Sequence, residues 1–131
     1  MTQEEEKRLL IKDLCPRLAY GVTYYYDTKN VVTPKQILSL TEINNILLGI
    51  GDNIKPYLRP MSSMTDEEKK VVCSMNTISD TELNERLNYQ KMYVQNYTIE
   101  TFDYFNEHHF DFRGLIEKGL ALEATEGMYK I

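Results

Sequence analysis

The sequence predicts an α+β fold: an N-terminal helix, a small antiparallel β-sheet, and C-terminal helices packed on the sheet. Three observations predict it. The first residues carry a helix-capping pattern, residues 19–26 are aromatic and β-branched, and residues 99–118 return to helical spacing. With 131 residues and no Gly- or Pro-rich linker, we expect one domain spanning residues 1–131.

The first element is expected to be a helix over residues 3–14. Thr2 and Glu5 form a capping box, in which each side chain bonds the backbone N–H of the other residue. Two leucines four residues apart then share one face. Pro16 is expected to end the helix, because the residue before a proline resists helical geometry.

The sheet is expected within residues 19–60. Residues 19–26 predict its first strand, since tyrosine and valine favour extended backbone, and residues 27–30 supply a turn.

Residues 31–50 fit two interpretations. Thr33-Pro34 resembles a capped helix start with proline in the first turn. Short apolar runs divided by Asn44-Asn45, however, are typical of strands. We favour two short strands, near residues 36–41 and 45–50, over a helix.

Residues 54–60 predict an extended segment that leads into a helix. Each of its two prolines keeps the preceding residue out of the helical region, and neither proline can donate to a ladder, which favours a sheet edge or strand end. Thr65 and Glu68 then form a capping box that begins a helix over residues 66–73.

The remaining elements are expected to be helices followed by a short strand. Ser79 caps a surface helix over 77–96, and Thr98 caps one over 99–108. The latter places three apolar side chains at three-residue steps: Ile99, Phe102 and Phe105. Asp111 is expected to cap a helix over 112–118 that Gly119 ends, with Leu120 and Leu122 alternating in a final strand.

Charge and composition limit the function. The net charge is −5; residues 1–60 hold eight Lys and Arg against seven Asp and Glu, and residues 61–131 hold seven against thirteen. The acidic second half repels phosphates, so non-specific nucleic-acid binding by that half is disfavoured. Ten tyrosines without tryptophan fit a core boundary or a contact surface.

The sequence also predicts a location. Cys15 and Cys73 lack the spacing of a metal or redox motif and fit a reducing cytoplasm, although one disulfide between them remains open. The acidic N-terminus does not resemble a signal peptide, and no apolar run reaches bilayer-spanning length. We expect a cytoplasmic protein with no membrane contact and no cofactor.

Two blocks carry a family resemblance. Residues 54–65 read IKPYLRPMSSMT, and residues 98–129 contain TIETF, HHFDFRGLIEKGLA and EGMY. In these blocks the chain resembles small uncharacterised proteins of gut Bacteroidetes, common in their phages and mobile elements. The resemblance implies a source and a family, and no activity, cofactor or catalytic residue.

One candidate site is the group His108, His109 and Asp111. Histidine with a carboxylate can bind a metal or shuttle protons. Adjacent helical residues point about 100° apart, however, so the two histidines do not readily share one ion, and capping of a helix end explains both. We therefore predict no metal site here, and keep His109 and the nearby Arg113 as candidate binding residues.

The second candidate lies in the 54–60 segment. Alternation places Lys55, Tyr57 and Arg59 on one face, where two cations flanking a tyrosine can accept a phosphate, a carboxylate or a stacked base. The alternative is a solvated edge strand whose cations prevent edge pairing.

Residues 99–118 could form a helix-turn-helix, but its second helix has too little positive charge to read DNA, and a compact αα-hairpin is favoured. The leading functional hypothesis is a non-enzymatic accessory or interaction module that binds a protein partner or self-associates. The alternative is a nucleic-acid-associated module using the Lys55, Tyr57 and Arg59 face. A third is a small metal-dependent enzyme around His108, His109 and Asp111.

Overall fold

The computed structural model describes residues 2–28, 31–32, 36–49, 54–88, 97–125 and 127–129. The α+β class is confirmed, with helices before and after a mixed sheet. The helices are α1 (Gln3–Leu14), α2 (Leu40–Leu47), α3 (Asp66–Asn76), α4 (Asp80–Asn88) and α5 (Ile99–Glu107). The strands are β1 (Thr23–Thr28), β2 (Val31–Val32), β3 (Gln36–Ile37), β4 (Ile54–Leu58) and β5 (Leu122–Glu123). None of the helices in these ranges has the length and apolar composition needed to cross a bilayer.

Helix starts follow the predicted caps. Thr2 and Thr65 each form a complete capping box, and the Thr98 side chain accepts from the Thr101 N–H. Helix α3 runs three residues past its expected end and stops where Thr77 adopts the left-handed conformation, with φ of 52°. Helix α4 confirms the first part of the surface helix, and residues 89–96 of that prediction lie outside the described ranges.

The chain continues as a 3-10 helix over Cys15–Tyr20 after α1, so the first strand begins at Thr23 rather than at residue 19. Pro16 was expected to end the first helix, and α1 does end at Leu14. Pro16 itself lies in the first turn of the 3-10 helix, where its missing N–H is not needed. Gly21, with φ of 71°, makes the left-handed exit.

The strand predicted near residues 45–50 is wrong, because α2 continues to Leu47 and a turn follows at Leu48 and Gly49. The Glu42 carboxylate accepts a hydrogen bond from the Ser39 N–H at 2.8 Å, which completes a capping box. Ile43 and Ile46, three residues apart, form the buried face. Of the strand predicted near residues 36–41, only β3 is observed.

The sheet is mixed rather than antiparallel. Strand β1 pairs antiparallel with β2, β3 and β4, whereas β5 pairs parallel with β4. Strand β4 therefore has a neighbour on each side and is not the expected edge. Its Pro56 is tolerated because the pairing of β4 with β5 begins only at Tyr57. The hydrogen bonds between these two strands therefore need no N–H from the proline.

The helix predicted over 112–118 is wrong, and with it the αα-hairpin, because these residues form turns. Asp111 does cap the turns: its carboxylate accepts from the Leu115 and Ile116 N–H groups at 2.8 and 3.0 Å. Gly114, with φ of 73°, interrupts any helix here, and Gly119 is left-handed as expected.

Two apolar clusters form the core. The first joins α1, the sheet and α2, and the second joins α3, α4 and α5. The chain passes from the second to the first between Phe112 and Leu115. In α5 the buried face contains Thr101 and Phe105, whereas Ile99, expected on the same face, is 81% exposed.

Candidate functional site

Arg59 is buried and does not join Lys55 and Tyr57 at the surface. Its guanidinium donates two hydrogen bonds to the Glu68 carboxylate, at 2.8 and 2.7 Å, and lies 4.2 Å from the Phe110 ring centroid. Burial alone would raise the Glu68 pKa, but hydrogen bonds from Arg59 and Thr65 outweigh it and lower that pKa. Arg59 therefore ties β4 to the start of α3.

Lys55 and Tyr57 lie on the partly exposed face of β4, as the alternation predicts, and Ile54 and Leu58 lie on the buried face. The Tyr57 ring makes a T-shaped contact with Tyr25 of β1, with centroids 6.5 Å apart. This face of the sheet therefore carries Tyr25, Tyr57 and Lys55, but lacks the second cation predicted there, Arg59.

His108 and His109 make different contacts. The Nδ1 atom of His108 lies 3.8 Å from a Glu68 oxygen, and its ring packs on Tyr104. His109 has φ of 65° and stacks on Tyr129, with centroids 3.8 Å apart.

His109 is held neutral. Burial, together with the positive charge of Arg17 and further contributions from His108 and Arg59, lowers the His109 pKa to about 4. Its Nδ1 atom is buried without a hydrogen-bond partner among the described residues. At neutral pH this imidazole is uncharged and packed inside the fold.

Asp13 and Arg17 form the centre of a buried charged cluster. Arg17 donates to both Asp13 oxygens, at 3.0 and 3.2 Å, and to the Phe110 carbonyl at 2.6 Å. The predicted binding residue Arg113 lies beside them, with Nε 3.4 Å from Asp13. Burial raises the Asp111 pKa, although the hydrogen bonds from Ile116 and Leu115 oppose the shift.

Sequence reasoning missed the Asp13–Arg17 pair. The sequence did contain a signal for this pair: Asp13 precedes Arg17 by four residues and lies on the same face as the buried leucines of α1. In the described part of the chain, no group of three His, Cys, Asp or Glu side chains is arranged to hold a metal ion. Cys15 is exposed and Cys73 is buried, both as free thiols.

An exposed apolar surface occupies the segment that contains β3 and α2. We call it the α2 surface, and it consists of Ile37, Leu40, Leu47 and Leu48, which are 68%, 72%, 55% and 67% exposed. A groove of about 390 Å³ between α1 and α2 lies beside it. The groove is lined by Gln3, Glu4, Glu6, Lys7, Leu10, Ile46, Gly49 and Leu120. The strand interpretation of residues 36–50 hid this surface, because it assigned these side chains to a sheet.

No family model matches the sequence, and comparison with curated proteins and with solved structures found no match.

Proposed function

We propose that the protein is a non-enzymatic interaction module whose contact surface is the α2 surface. One observation carries the proposal: four large aliphatic side chains, each more than half exposed, lie within one short segment. Single exposed apolar residues are ordinary, but contiguous apolar patches on a folded domain mark binding surfaces.

The polar candidates support this proposal by their contacts. Arg59, His109 and Arg113 each contact partners inside the fold, with Glu68, Tyr129 and Asp13 respectively. These three contacts hold α1, β4 and the C-terminal segment together. Among the described contacts, the exposed side chains of the α2 surface do not hold parts of the fold together in this way. A protein that binds the chain could therefore bury them.

The experiment is capture and titration with matched variants. The double variant Leu40→Asp/Leu47→Asp places charge on the α2 surface, and Ile99→Asp places it at an exposed apolar site on α5 as the control. Proteins retained from a gut Bacteroidetes lysate are identified, purified and titrated against each variant. We expect binding by the wild type and the control and at least a tenfold loss in the double variant, because charge in an apolar contact costs several kcal/mol. Equal binding by all three would refute the proposal.

The proposal includes a cytoplasmic location and a phage or mobile-element source. The first is supported by the spacing of the two cysteines in the sequence, and the second by the resemblance of residues 54–65 and 98–129.

A second candidate function is binding of single-stranded nucleic acid by the face containing Lys55, Tyr57 and Tyr25. The paired tyrosine rings favour it, since bases stack on aromatic side chains. The buried Arg59 weakens it by removing one cation. Salt-dependent binding of a fluorescent oligonucleotide that falls with Tyr57→Ala and Lys55→Ala would support it, and flat titrations at low salt would remove it.

A further inference from the structure

We propose that part of the C-terminal segment is a strap that opens in acid while the rest of the chain stays folded. Tyr129 holds the strap closed, and His109 is the group that takes up the proton when it opens. By the strap we mean Thr125 and residues 127–129. This device lies apart from the α2 surface and does not depend on the function proposed for it.

Tyr129 attaches the strap to the sheet. Its hydroxyl accepts from the Thr23 N–H at 2.9 Å and donates to the Tyr57 carbonyl at 2.7 Å, and its ring packs against the first apolar cluster. Another hydrogen bond, from the Met128 N–H to the Thr125 carbonyl, lies within the strap itself. Among the described hydrogen bonds and ring contacts, only those of Tyr129 join the strap to the rest of the fold.

A cavity of about 310 Å³ lies beside the strap. Its lining includes Thr125, Gly127 and Tyr129 of the strap, and Arg59, Pro60 and Ser63 from the segment that begins at the end of β4. Thr125 and Gly127 are also exposed to solvent. Segments with few buried contacts open locally at a lower free energy than the whole fold. We therefore expect the strap to open before the domain unfolds.

Tyr129 also covers the ring of His109. The two rings stack with centroids 3.8 Å apart and an angle of 16° between their planes, and His109 is 8% exposed. The Nδ1 atom of His109 is buried without a hydrogen-bond partner among the described residues. Protonation places an N–H on both ring nitrogens, so in the closed form it leaves a buried donor without an acceptor. Opening the strap removes the stacked ring and gives the imidazole access to water.

The charged groups around His109 oppose its protonation in the closed form. Burial and the positive charge of neighbouring side chains lower the His109 pKa to about 4. These side chains are Arg17 of the 3-10 helix, His108 beside it in the chain, and Arg59 after β4.

The carboxylates of this region are engaged with other groups. Asp13 accepts from Arg17, Glu68 accepts from Arg59, and Asp111 accepts from the Leu115 and Ile116 N–H groups. They do not replace the acceptor that a protonated His109 needs. Because the uncovered imidazole takes up a proton more readily than the covered one, acid favours the open strap.

The size of the effect has an upper limit. If the uncovered ring regains the ordinary histidine pKa of 6.5, the equilibrium constant for opening rises by up to about 100-fold from pH 7 to pH 4. Attraction between an imidazolium and the Tyr129 ring stabilises the closed form and reduces this rise. We expect a rise of about tenfold to 100-fold.

Native-state hydrogen exchange of the full chain, followed by NMR, tests the strap. The Thr23 N–H reports on its opening, because its described partner is the Tyr129 hydroxyl. The amide of the buried Leu14 in α1 reports on global unfolding. Exchange is measured from pH 7 to pH 4, with and without low urea, and each rate is divided by that of an unprotected amide at the same pH.

The expected result is that Thr23 exchanges independently of urea, with the predicted rise in its opening constant towards pH 4, while Leu14 exchange depends on urea. His109→Asn keeps a residue that tolerates the left-handed backbone but cannot take up this proton, so it should abolish the rise. Equal urea dependence at Thr23 and Leu14 would overturn the strap. The same pH dependence in wild type and His109→Asn would overturn the role of His109.

Tyr129→Phe provides a second variant that keeps the stacked ring. It should speed exchange of the Met128 N–H at pH 7 by about tenfold, because both hydrogen bonds of the hydroxyl to the sheet are lost. Unchanged Met128 exchange in this variant would show that Tyr129 does not hold the strap closed.

Discussion

The Tyr129 hydroxyl donates a hydrogen bond to the Tyr57 carbonyl at 2.7 Å, and so joins the C-terminal segment to the middle of the sheet. The same oxygen accepts from the Thr23 N–H at 2.9 Å. Since Tyr24 pairs with Pro56, Thr23 and Tyr57 are the next opposed residues of β1 and β4. The hydroxyl therefore bridges two backbone groups that face each other across the ladder.

Tyr129→Phe should destabilise the fold by about 1–3 kcal/mol, because the Thr23 N–H and the Tyr57 carbonyl both lose their described partner while the ring is kept. Urea unfolding followed by circular dichroism measures the change. Tyr20→Phe, which removes a hydroxyl from an exposed ring, is the control and should change stability by less than about 0.5 kcal/mol. Similar values for the two variants would show that the bridge contributes nothing.

Arg59→Met should cost about 3–5 kcal/mol, because it leaves the Glu68 carboxylate buried without its cation. The double variant Arg59→Met/Glu68→Gln should recover part of this loss, since glutamine can still complete the capping box with Thr65. Chemical unfolding of Arg59→Met, Glu68→Gln and the double variant gives the comparison. A double variant that is as unstable as the sum of its single changes would contradict the coupling.

The buried His109 should make stability fall as pH drops from about 6.5 to about 4. Its pKa is about 4 in the fold, against 6.5 for the unconstrained side chain, so in this window only the unfolded chain binds the proton. The loss should reach about 3 kcal/mol at the acid end.

His109→Asn is the matched variant, because asparagine tolerates the left-handed backbone at this position. The difference in unfolding free energy between wild type and variant, measured by urea titration at several pH values, should shrink steadily below pH 6.5. A constant difference between the two proteins would rule out a neutral buried histidine.

Adjacent positions of α2 should respond in opposite ways. Ile46→Ala should cost about 2–5 kcal/mol, since Ile46 is buried in the first apolar cluster. Leu47→Ala should cost less than about 1 kcal/mol, because most of that side chain is exposed. Thermal and urea unfolding of the two variants provide the test. Equal losses would mean that the α2 helix does not turn these two side chains to different environments.

Local signals made several helix starts predictable, and also the positions of β1, β4 and β5 to within a few residues. Thr2 with Glu5 and Thr65 with Glu68 act over three residues, so their hydrogen bonds form wherever the chain is helical. The Ser39–Glu42 box was equally present in the sequence. The helix interpretation was instead based on Thr33-Pro34, and the apolar runs, whose spacing fits a strand as well as a helix, favoured strands.

The candidate site was only partly predictable. Alternation placed Lys55 and Tyr57 correctly, because side chains of an extended strand alternate whatever surrounds them. It could not place Arg59, whose environment depends on Glu68 and on the distant Phe110 ring.

The sequence by itself determined the α+β class, the capped starts of α1, α3 and α5, and the extended β4 segment. Tertiary structure alone decided the parallel pairing of β5, the burial of Arg59 and His109, and the exposure of the α2 leucines. The physical reason is the distance along the chain between the residues that interact. Caps and alternation depend on neighbours a few residues apart, whereas strand order, desolvation and exposure depend on which distant segments the folded chain brings together.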